Sequence, residues 1–286
     1  VALALQSATV SAQDEVEEPV LDAETQKRLQ IYTSIQWEEG PVSVDVGGNA
    51  TLQLPEGFRY TGRQGSVLWN QFTRNPPDAT IGTLMPIDED KKWFLCFEFS
   101  DVGYVKDDEE LDADALLSSM KEGTEASNEY RRQQGWGGIH IDGWIVPPTY
   151  DNKTRNLVWA TRLRDDEGNQ NANHNIRILG RRGVMTVMLV ASLDEMDAAI
   201  AETDQLLGGF QYKTGETYSE FSSGDKVAQY GLTGLIAGGA AIAAVKTGLF
   251  AKLLAMVGKA GKAIVVVIVG ALAAVKKLFF GKSASE

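Results

Sequence analysis

The segment VMTVMLVA at residues 184–191 is apolar at nearly every position and is the last in a series of strand-like segments. Residues 139–145, 157–163 and 176–179 have the same character and precede it at short intervals. WFLCFEF at 93–99 is also apolar almost throughout, which predicts an interior strand covered on both faces. Repeated short strands that follow one another closely along the chain predict a sheet built largely from hairpins.

Helical patterns lie around and between these strands. Residues 23–37, 66–73 and 112–134 have helix-forming composition, and Leu116, Met120 and Tyr130 share one face of the third segment. Residues 42–54 alternate apolar and polar side chains about Gly47-Gly48-Asn49, which predicts a hairpin. Ser192 and Glu195 have the spacing of a capping box that would open another helix. The predicted fold class is α+β, a mostly antiparallel sheet with packed helices.

Two apolar runs follow this predicted domain. VAQYGLTGLIAGGAAIAAV at 227–245 contains no charge, and a second run begins at Ala263 and extends to about residue 280. About 20 apolar residues cross a bilayer core as a helix, so the sequence predicts a C-terminal transmembrane helical hairpin. The second run is short, and Lys276 and Lys277 interrupt it, so one spanning helix plus an interfacial segment remains an alternative.

Charge divides sharply along the chain. The formal net charge is −12, yet the part from Lys226 onward carries eight lysines and one acid. The preceding part is therefore strongly acidic, which argues against nucleic acid as a partner. A basic tail suits a cytoplasmic loop and anionic lipid headgroups, so we expect the bilayer itself to be a partner.

The N-terminal residues VALALQSATVSA are uncharged and end with small residues at the spacing of a cleavage site. They predict the remnant of a secretory signal peptide. The expected location is the bacterial inner membrane, with the main domain periplasmic. The predicted division is a signal remnant at 1–12, an acidic disordered segment at 13–22, the extracytoplasmic domain at 23–225 and the membrane anchor at 226–286.

Small residues recur four apart in the apolar runs, a spacing that allows close helix packing in lipid. The residues predicted to pack membrane helices are Gly234, Gly238, Ala241, Gly270 and Ala274. Their partner is either the other run or a second protomer, so a homo-oligomer is one expected state.

Chemical motifs are weak in the predicted domain. The acidic stretches at 107–114 and 165–171 fit solvated loops better than metal sites, and the sequence predicts no metal and no cofactor. Cys96 lies in an apolar strand and is predicted to be a buried small hydrophobe. Polar and aromatic side chains on the predicted strands and helices suggest a groove, with core packing as the alternative; they are Asn128, Arg131, Trp144, Tyr150, Asp151, Trp159 and Arg181.

The order of several short motifs resembles a family of membrane-anchored bacterial proteins of unknown function. The motifs are GPVSVDVG at 40–47, LPEG at 54–57, GYVKDD at 103–108, NEYR at 128–131, PTYD at 148–151, LVWA at 157–160, ILGR at 178–181 and DKVAQYGL at 225–232. The resemblance implies a signal peptide, an extracytoplasmic α+β domain and C-terminal transmembrane segments, and it implies no activity. The order of strands and helices is also similar to small single-sheet α+β folds such as those of PsbP-like and Mog1-like proteins, a likeness of fold alone.

Three functions are consistent with this reading. The first is a non-enzymatic, membrane-anchored envelope protein whose acidic domain mediates protein interaction. The second is a subunit of a homo- or hetero-oligomeric membrane complex or channel. The third is an envelope hydrolase whose paired carboxylates come from residues 107–114 or from the turn at Tyr150-Asp151. The sequence favours a protein that is not an enzyme.

Overall fold

The computed structural model describes residues 22–75 and 79–237, which form a mixed α+β structure dominated by antiparallel sheet. Its helices are α1 (Ala23–Thr33), α2 (Arg63–Phe72), α3 (Ala113–Gln133), α4 (Met196–Leu207) and α5 (Leu232–Ala237). Its strands are β1 (Glu38–Glu39), β2 (Val42–Val46), β3 (Ala50–Leu54), β4 (Phe58–Gly62), β5 (Thr80–Pro86), β6 (Phe94–Ser100), β7 (Ile139–Asp151), β8 (Asn156–Asp165), β9 (Gln170–Leu179), β10 (Val184–Ser192) and β11 (Phe210–Tyr212).

Eight of these strands form one sheet in the order β1-β4-β5-β6-β10-β9-β8-β7, with every neighbouring pair antiparallel. Strands β7 to β10 are joined as successive hairpins, and β10 then pairs with β6. The second half of the sheet is thereby attached to the first. The other three strands form a small sheet in the order β11-β3-β2.

The main core lies between the two sheets and α4. Alternate residues of β10, Met185, Val187 and Leu189, point into it and are fully buried. Leu52 of β3 and Leu206 of α4 enter the same core from the opposite side. Burial of apolar surface of this kind contributes about 25 cal/mol per Å², so this layer supplies a large part of the folding free energy.

The opposite face of the large sheet carries helices at both ends. At one end α1 and α2 cover β5 and β6 through a cluster that contains Ile35, Trp69 and Met85. At the other end α3 and α5 cover β8 and β9 through Leu116, Trp159 and further apolar side chains. Between these helical pairs, β10 and the uncovered parts of β6 and β9 form the floor of a trough.

The structure confirms the predicted interior strand and the predicted hairpin strands, and it extends several of them. The strand predicted at 139–145 continues as β7 to Asp151 in spite of Pro147 and Pro148. Proline is tolerated there because β7 is the edge of the sheet and its pairing with β8 is interrupted by register shifts.

The predicted capping box at 192–195 is wrong. The helix begins at Met196, and Glu195 at the N-cap position makes no side-chain cap. Ser192 is still the last residue of β10, and its hydroxyl donates to the Glu195 carboxylate over 2.9 Å. Sheet pairing thus keeps Ser192 away from the helix amides that it would otherwise cap.

Residues 227–237 open the first predicted apolar run, and the structure places them on the domain. Tyr104 donates its backbone N–H to Lys226 and accepts from Ala228, which holds the segment against the loop before α3. The helix starts only at Leu232, whose side chain is buried in the same cluster as Leu116 of α3. No helix in the described ranges 22–75 and 79–237 is both long and apolar enough to cross a bilayer.

Gly234 lies inside this short helix. A Cβ at Gly234 would come 2.5 Å from Cδ2 of Tyr230, so the position tolerates only glycine without rearrangement. Its packing partner in the described structure is therefore Tyr230. The other four residues predicted to pack membrane helices, Gly238, Ala241, Gly270 and Ala274, lie outside the described residues, as do residues 1–21 and the second apolar run.

Candidate functional site

A trough crosses the helical face of the large sheet between α2 and α3. It consists of two adjoining cavities that share Ile139, Leu163 and Asn173 in their walls. We call the one beside α2 the α2 cavity and the one beside α3 the α3 cavity. Their volumes are about 450 and 420 Å³, respectively.

The floor of the α2 cavity is apolar and soft. Cys96 and Phe94 of β6 and Met188 and Val190 of β10 line it. Methionine is flexible and polarisable, so it adapts to side chains of different shapes. Such a floor can accept apolar groups without requiring one particular geometry.

Side-chain amides surround this floor. Six asparagines line the two cavities, namely Asn70, Asn75, Asn128, Asn171, Asn173 and Asn175. Three of them alternate along β9, because successive residues of a strand point to opposite faces. Their exposure decreases along the strand, from exposed Asn171 through half-buried Asn173 to Asn175, which is 8% exposed.

These amides differ in how fully their hydrogen-bonding capacity is used. Asn128 uses both ends of its amide on Ile139, accepting from the backbone N–H over 2.8 Å and donating to the carbonyl over 2.7 Å. Asn75 donates to Thr73 over 3.0 Å. Asn173 makes only a long 3.7 Å contact with Sδ of Met188, which leaves its carbonyl oxygen and its second N–H directed at the cavities.

Next to the α3 cavity, Arg177 lies over the ring of Trp159 at 4.7 Å from the ring centroid. Burial lowers the pKa of Arg177 to about 10, although Glu98 and Tyr230 act in the opposite direction. Its Nη1 atom and Nε1 of Trp159 have no hydrogen-bond partner among the described residues. Arg177 is thus held beside the trough by its stacking on Trp159.

The seven residues predicted to form a groove do not meet in one place. Asn128 and Arg131 line the α3 cavity. Trp144 packs against the apolar cluster that contains Leu116 of α3. It donates its indole N–H to the carbonyl of Ala113, the first residue of that helix, over 3.1 Å. Asp151 closes the β7–β8 turn by accepting from the Lys153 amide, and Trp159 stacks with Arg177.

Arg181 belongs to a separate ion pair with Asp225. Two guanidinium nitrogens contact the two carboxylate oxygens over 2.7 and 2.9 Å. Hydrogen bonding from Arg181 lowers the pKa of Asp225 to about 2. The pair ties the loop after β9 to the segment that leads into α5.

Tyr150 joins a charged cluster with Asp107 and Arg155. Its hydroxyl donates to Asp107 over 2.7 Å, and Arg155 pairs with the same carboxylate oxygen. Burial raises the pKa of Asp107, but the hydrogen bond from Tyr150 and the charge of Arg155 outweigh it, so the net pKa is lowered. Burial and the neighbouring carboxylate raise the pKa of Tyr150 to about 12. The structure therefore brings into contact one residue from each of the two stretches in which the sequence predicted paired carboxylates, and Arg155 forms an ion pair with the Asp107 carboxylate.

His140 connects three elements at the outer end of the trough. Its Nδ1 lies 2.6 Å from a Glu125 oxygen on α3, and its Nε2 lies 2.9 Å from an Asp166 oxygen on the β8–β9 turn. Asp166 also accepts from the Gly138 amide over 2.5 Å. Hydrogen bonds to Asp166 and Glu125 raise the pKa of His140, and its own hydrogen bonds lower the pKa of both carboxyls.

These shifts predict that the His140 cluster contributes most to stability in mildly acidic solution. The raised pKa of His140 stabilises the fold below its unfolded value of about 6.5, and the effect disappears as pH rises through the folded value. The lowered pKa values of Glu125 and Asp166 stabilise the fold above about 4, and the effect disappears as pH falls. We expect wild type to melt about 1–3 °C above His140→Gln near pH 5.5, with a smaller gap at pH 8. Calorimetric scans across this range test the prediction, and a gap independent of pH contradicts it.

The described part of the chain contains no candidate metal site. Within residues 22–75 and 79–237, no three side chains of His, Cys, Asp or Glu are grouped so as to hold an ion. His140 contacts its two carboxylates through opposite ring nitrogens, so the three groups cannot converge on one ion. Asp165 of the second acidic stretch accepts from the Asn169 amide and stabilises its own turn.

The fold and the trough define a class of α+β domain with a polar, amide-lined cleft across a large antiparallel sheet. The chain belongs to the family described as protein of unknown function (DUF2167), which it matches over residues 38–273. No curated protein matches the chain. Among solved structures it is similar to the solution structure of cyanobacterial PsbP (CyanoP) from Synechocystis sp., at 14% identity and a TM-score of 0.35, over 62% of this chain and 92% of that one.

The asparagines of β9 are the main part of the candidate site that was not predicted from the sequence. Their signal is present as Asn171, Asn173 and Asn175 at every second position of a strand. Asn70 and Asn75 could not be added from the sequence, because α2 reaches the trough only through its packing on β5, the neighbour of β6 in the sheet.

Proposed function

We propose that this protein is a non-enzymatic, membrane-anchored component of the bacterial cell envelope, and that its domain binds an extended segment of a partner protein. The α2 cavity is the proposed binding site. The observation that carries the proposal is the pairing of an amide-lined wall on β9 with a flexible apolar floor at Met188 and Val190.

The spacing of the amides suits an extended peptide. Alternate residues of a strand lie about 6.8 Å apart, which is also the repeat of alternate residues in an extended ligand. An asparagine amide has the donors and the acceptor of a peptide group, so Asn171 and Asn173 can bond a peptide backbone as a neighbouring strand would. Apolar side chains of that peptide would then meet Met188 and Val190 on the floor.

Anchoring at the membrane is the second part of the proposal. It is supported by the apolar composition of residues 263–275 and 278–280, which Lys276 and Lys277 separate, and by the basic balance of the tail. A domain held near the membrane surface and carrying a peptide-binding cleft would recruit or position its partner there. Its periplasmic location belongs to the same proposal and rests on the signal-like residues 1–12.

The test is to select peptides from a phage-displayed library on the full chain in detergent and to measure their affinity for two variants. Asn173→Leu removes an amide from the trough and should weaken selected peptides about tenfold, since two lost hydrogen bonds cost roughly 1.4 kcal/mol. Asn152→Leu is the matched control, because Asn152 is exposed on the β7–β8 turn and lies away from both cavities.

Circular dichroism and melting temperature show whether each variant remains folded. Selected peptides that bind wild type and Asn173→Leu equally would place recognition elsewhere. A library that yields no binder above background would also contradict the proposal. Capture of a second copy of the chain in place of a peptide would favour the oligomeric complex.

A further inference from the structure

The α3 cavity is lined by polar side chains that the fold buries without bonding them. Asn175 of β9 and Thr161 of β8 belong to its lining and are only 8% and 2% exposed. Neither side chain makes a hydrogen bond to any residue in the described part of the chain. A buried amide or hydroxyl that lacks a partner is unfavourable by about 1–3 kcal/mol, so a ligand that bonds these groups gains from them.

The pairing of β8 with β9 places these groups side by side. Thr161 is opposite Asn173, and Asn175 follows two residues further along β9 on the same face. Opposed side chains start about 5 Å apart and alternate residues of one strand about 6.8 Å apart. The three side chains therefore form a compact patch of donors and acceptors. Ile141 and Leu163, which are opposite each other on β7 and β8, add an apolar area to the same cavity.

Arg131 is the one charged side chain among the described residues that line the α3 cavity. Its Nε donates to the Gly137 carbonyl over 2.7 Å, and its guanidinium lies 5.7 Å from the centroid of the Trp136 ring. It forms no ion pair with a described residue, and burial lowers its pKa although the charge of Asp166 acts in the opposite direction. A partly buried guanidinium without a carboxylate partner favours an anionic group on a ligand, and its planar fork fits a carboxylate.

These features define the chemistry of the ligand. Amide and hydroxyl side chains both donate and accept, and so does each hydroxyl group of a sugar. The C–H groups of a sugar ring can pack on Ile141 and Leu163, while a carboxylate on the ring pairs with Arg131. The cavity volume of about 420 Å³ lies within the range of about 300–1,000 Å³ that is usual for small-molecule sites.

We propose that the α3 cavity binds an acidic sugar, that is, a monosaccharide unit that carries a carboxylate. The peptide-binding proposal concerns the α2 cavity, which is not lined by Thr161, Asn175 or Arg131. Each proposal can therefore fail without the other.

Saturation-transfer NMR on the full chain tests this assignment. The protein is kept in a polyoxyethylene detergent, because the headgroups of maltoside detergents are themselves sugars. The probes are D-glucuronate, D-galacturonate and N-acetylmuramate, compared with D-glucose, which has no carboxylate, and succinate, which has no ring. At least one of the three acids should bind about tenfold more tightly than glucose and succinate. Failure of all three acids to bind, or equal binding of glucose or succinate, would overturn the proposal.

Thr161→Val separates a ligand-binding role from a structural one. The variant keeps the shape of the side chain and removes a hydroxyl that has no partner in the described structure, so the melting temperature should stay the same or rise. The affinity for the acid should fall about fivefold, as expected for one lost hydrogen bond. Thr186→Val is the matched control and should change neither quantity, since Thr186 of β10 lies on the same face of the sheet but lines neither cavity.

Arg131→Gln tests the contact with the carboxylate. Loss of the charge should weaken the acid about tenfold or more. Melting temperature and circular dichroism confirm that the variant is folded. Unchanged affinity of the acid for folded Thr161→Val and Arg131→Gln would place the sugar outside the α3 cavity and overturn the proposal.

Discussion

Truncation after Asp225 is expected to destabilise the domain by more than about 6 kcal/mol, enough to unfold much of the end of the sheet under α3. The deletion removes Leu232, Leu235 and Ile236, which are 1%, 9% and 5% exposed. Losing a buried leucine or isoleucine side chain costs about 2–5 kcal/mol, and a domain has only about 5–15 kcal/mol in total. The loss also uncovers Leu116 and Trp159, which would promote aggregation.

The control for this experiment is truncation after Ala237, which keeps the three buried side chains. Tryptophan fluorescence reports on the affected cluster because Trp159 is buried in it and Trp144 packs against it. Urea titration of both chains gives the difference in the free energy of unfolding. The predicted domain boundary after residue 225 depends on the result, since equal stability of the two chains would support that boundary and contradict the packing argument.

Asn128→Ala is expected to cost about 2–4 kcal/mol and to loosen α3 from the edge of the sheet. Asn128 is fully buried, and its amide bonds both backbone groups of Ile139 at the first residue of β7. The side chain thus acts as a short neighbouring strand for an edge that α3 covers. Alanine leaves the N–H and the carbonyl of Ile139 without these partners, and each such loss costs about 1–3 kcal/mol where water cannot replace it.

Asn128→Asp separates the two bonds. An aspartate accepts from the Ile139 amide but has no N–H for the Ile139 carbonyl, and it buries a carboxyl group beside Glu125, so this variant should be no more stable than Asn128→Ala although the Ile139 amide keeps its partner. Hydrogen exchange at the Ile139 amide gives a local measure, and it should accelerate most in Asn128→Ala. A change below 0.5 kcal/mol in Asn128→Ala would show that water satisfies Ile139 as well as the amide does.

Apolar packing is distributed unevenly over the helical face. The α1–α2 and α3–α5 pairs close its two ends with apolar clusters. The strands between them keep polar side chains such as Asn173 above the apolar floor at Met188. The helices therefore define the trough by leaving the centre of the sheet uncovered. The largest apolar core lies on the other face of the sheet.

Local patterns predicted much of this architecture. Alternation along β2 and β3 and the continuous apolar run of β6 report the environment of each strand directly, because side-chain direction has a period of two. Helix α3 was also predicted, with Asp112 at its start, and the structure shows the Asp112 carboxylate accepting from the Ala115 amide over 3.0 Å. The missed boundaries, such as the continuation of β7 through Pro147, depend on which strand lies at the edge.

The sequence by itself determined the α+β class, the main strands, the acidic domain and the apolar, basic tail, because composition and periodicity are properties of short segments. Only the tertiary structure decided the strand order, the trough between α2 and α3, the ion pair of Arg181 with Asp225 and the packing of residues 227–237 on α3. These features join residues far apart in the chain, such as Asn70 with Asn173 and Leu116 with Leu232. Such contacts depend on how whole elements pack, and apolar composition alone does not distinguish a helix buried in a domain from one that enters a membrane.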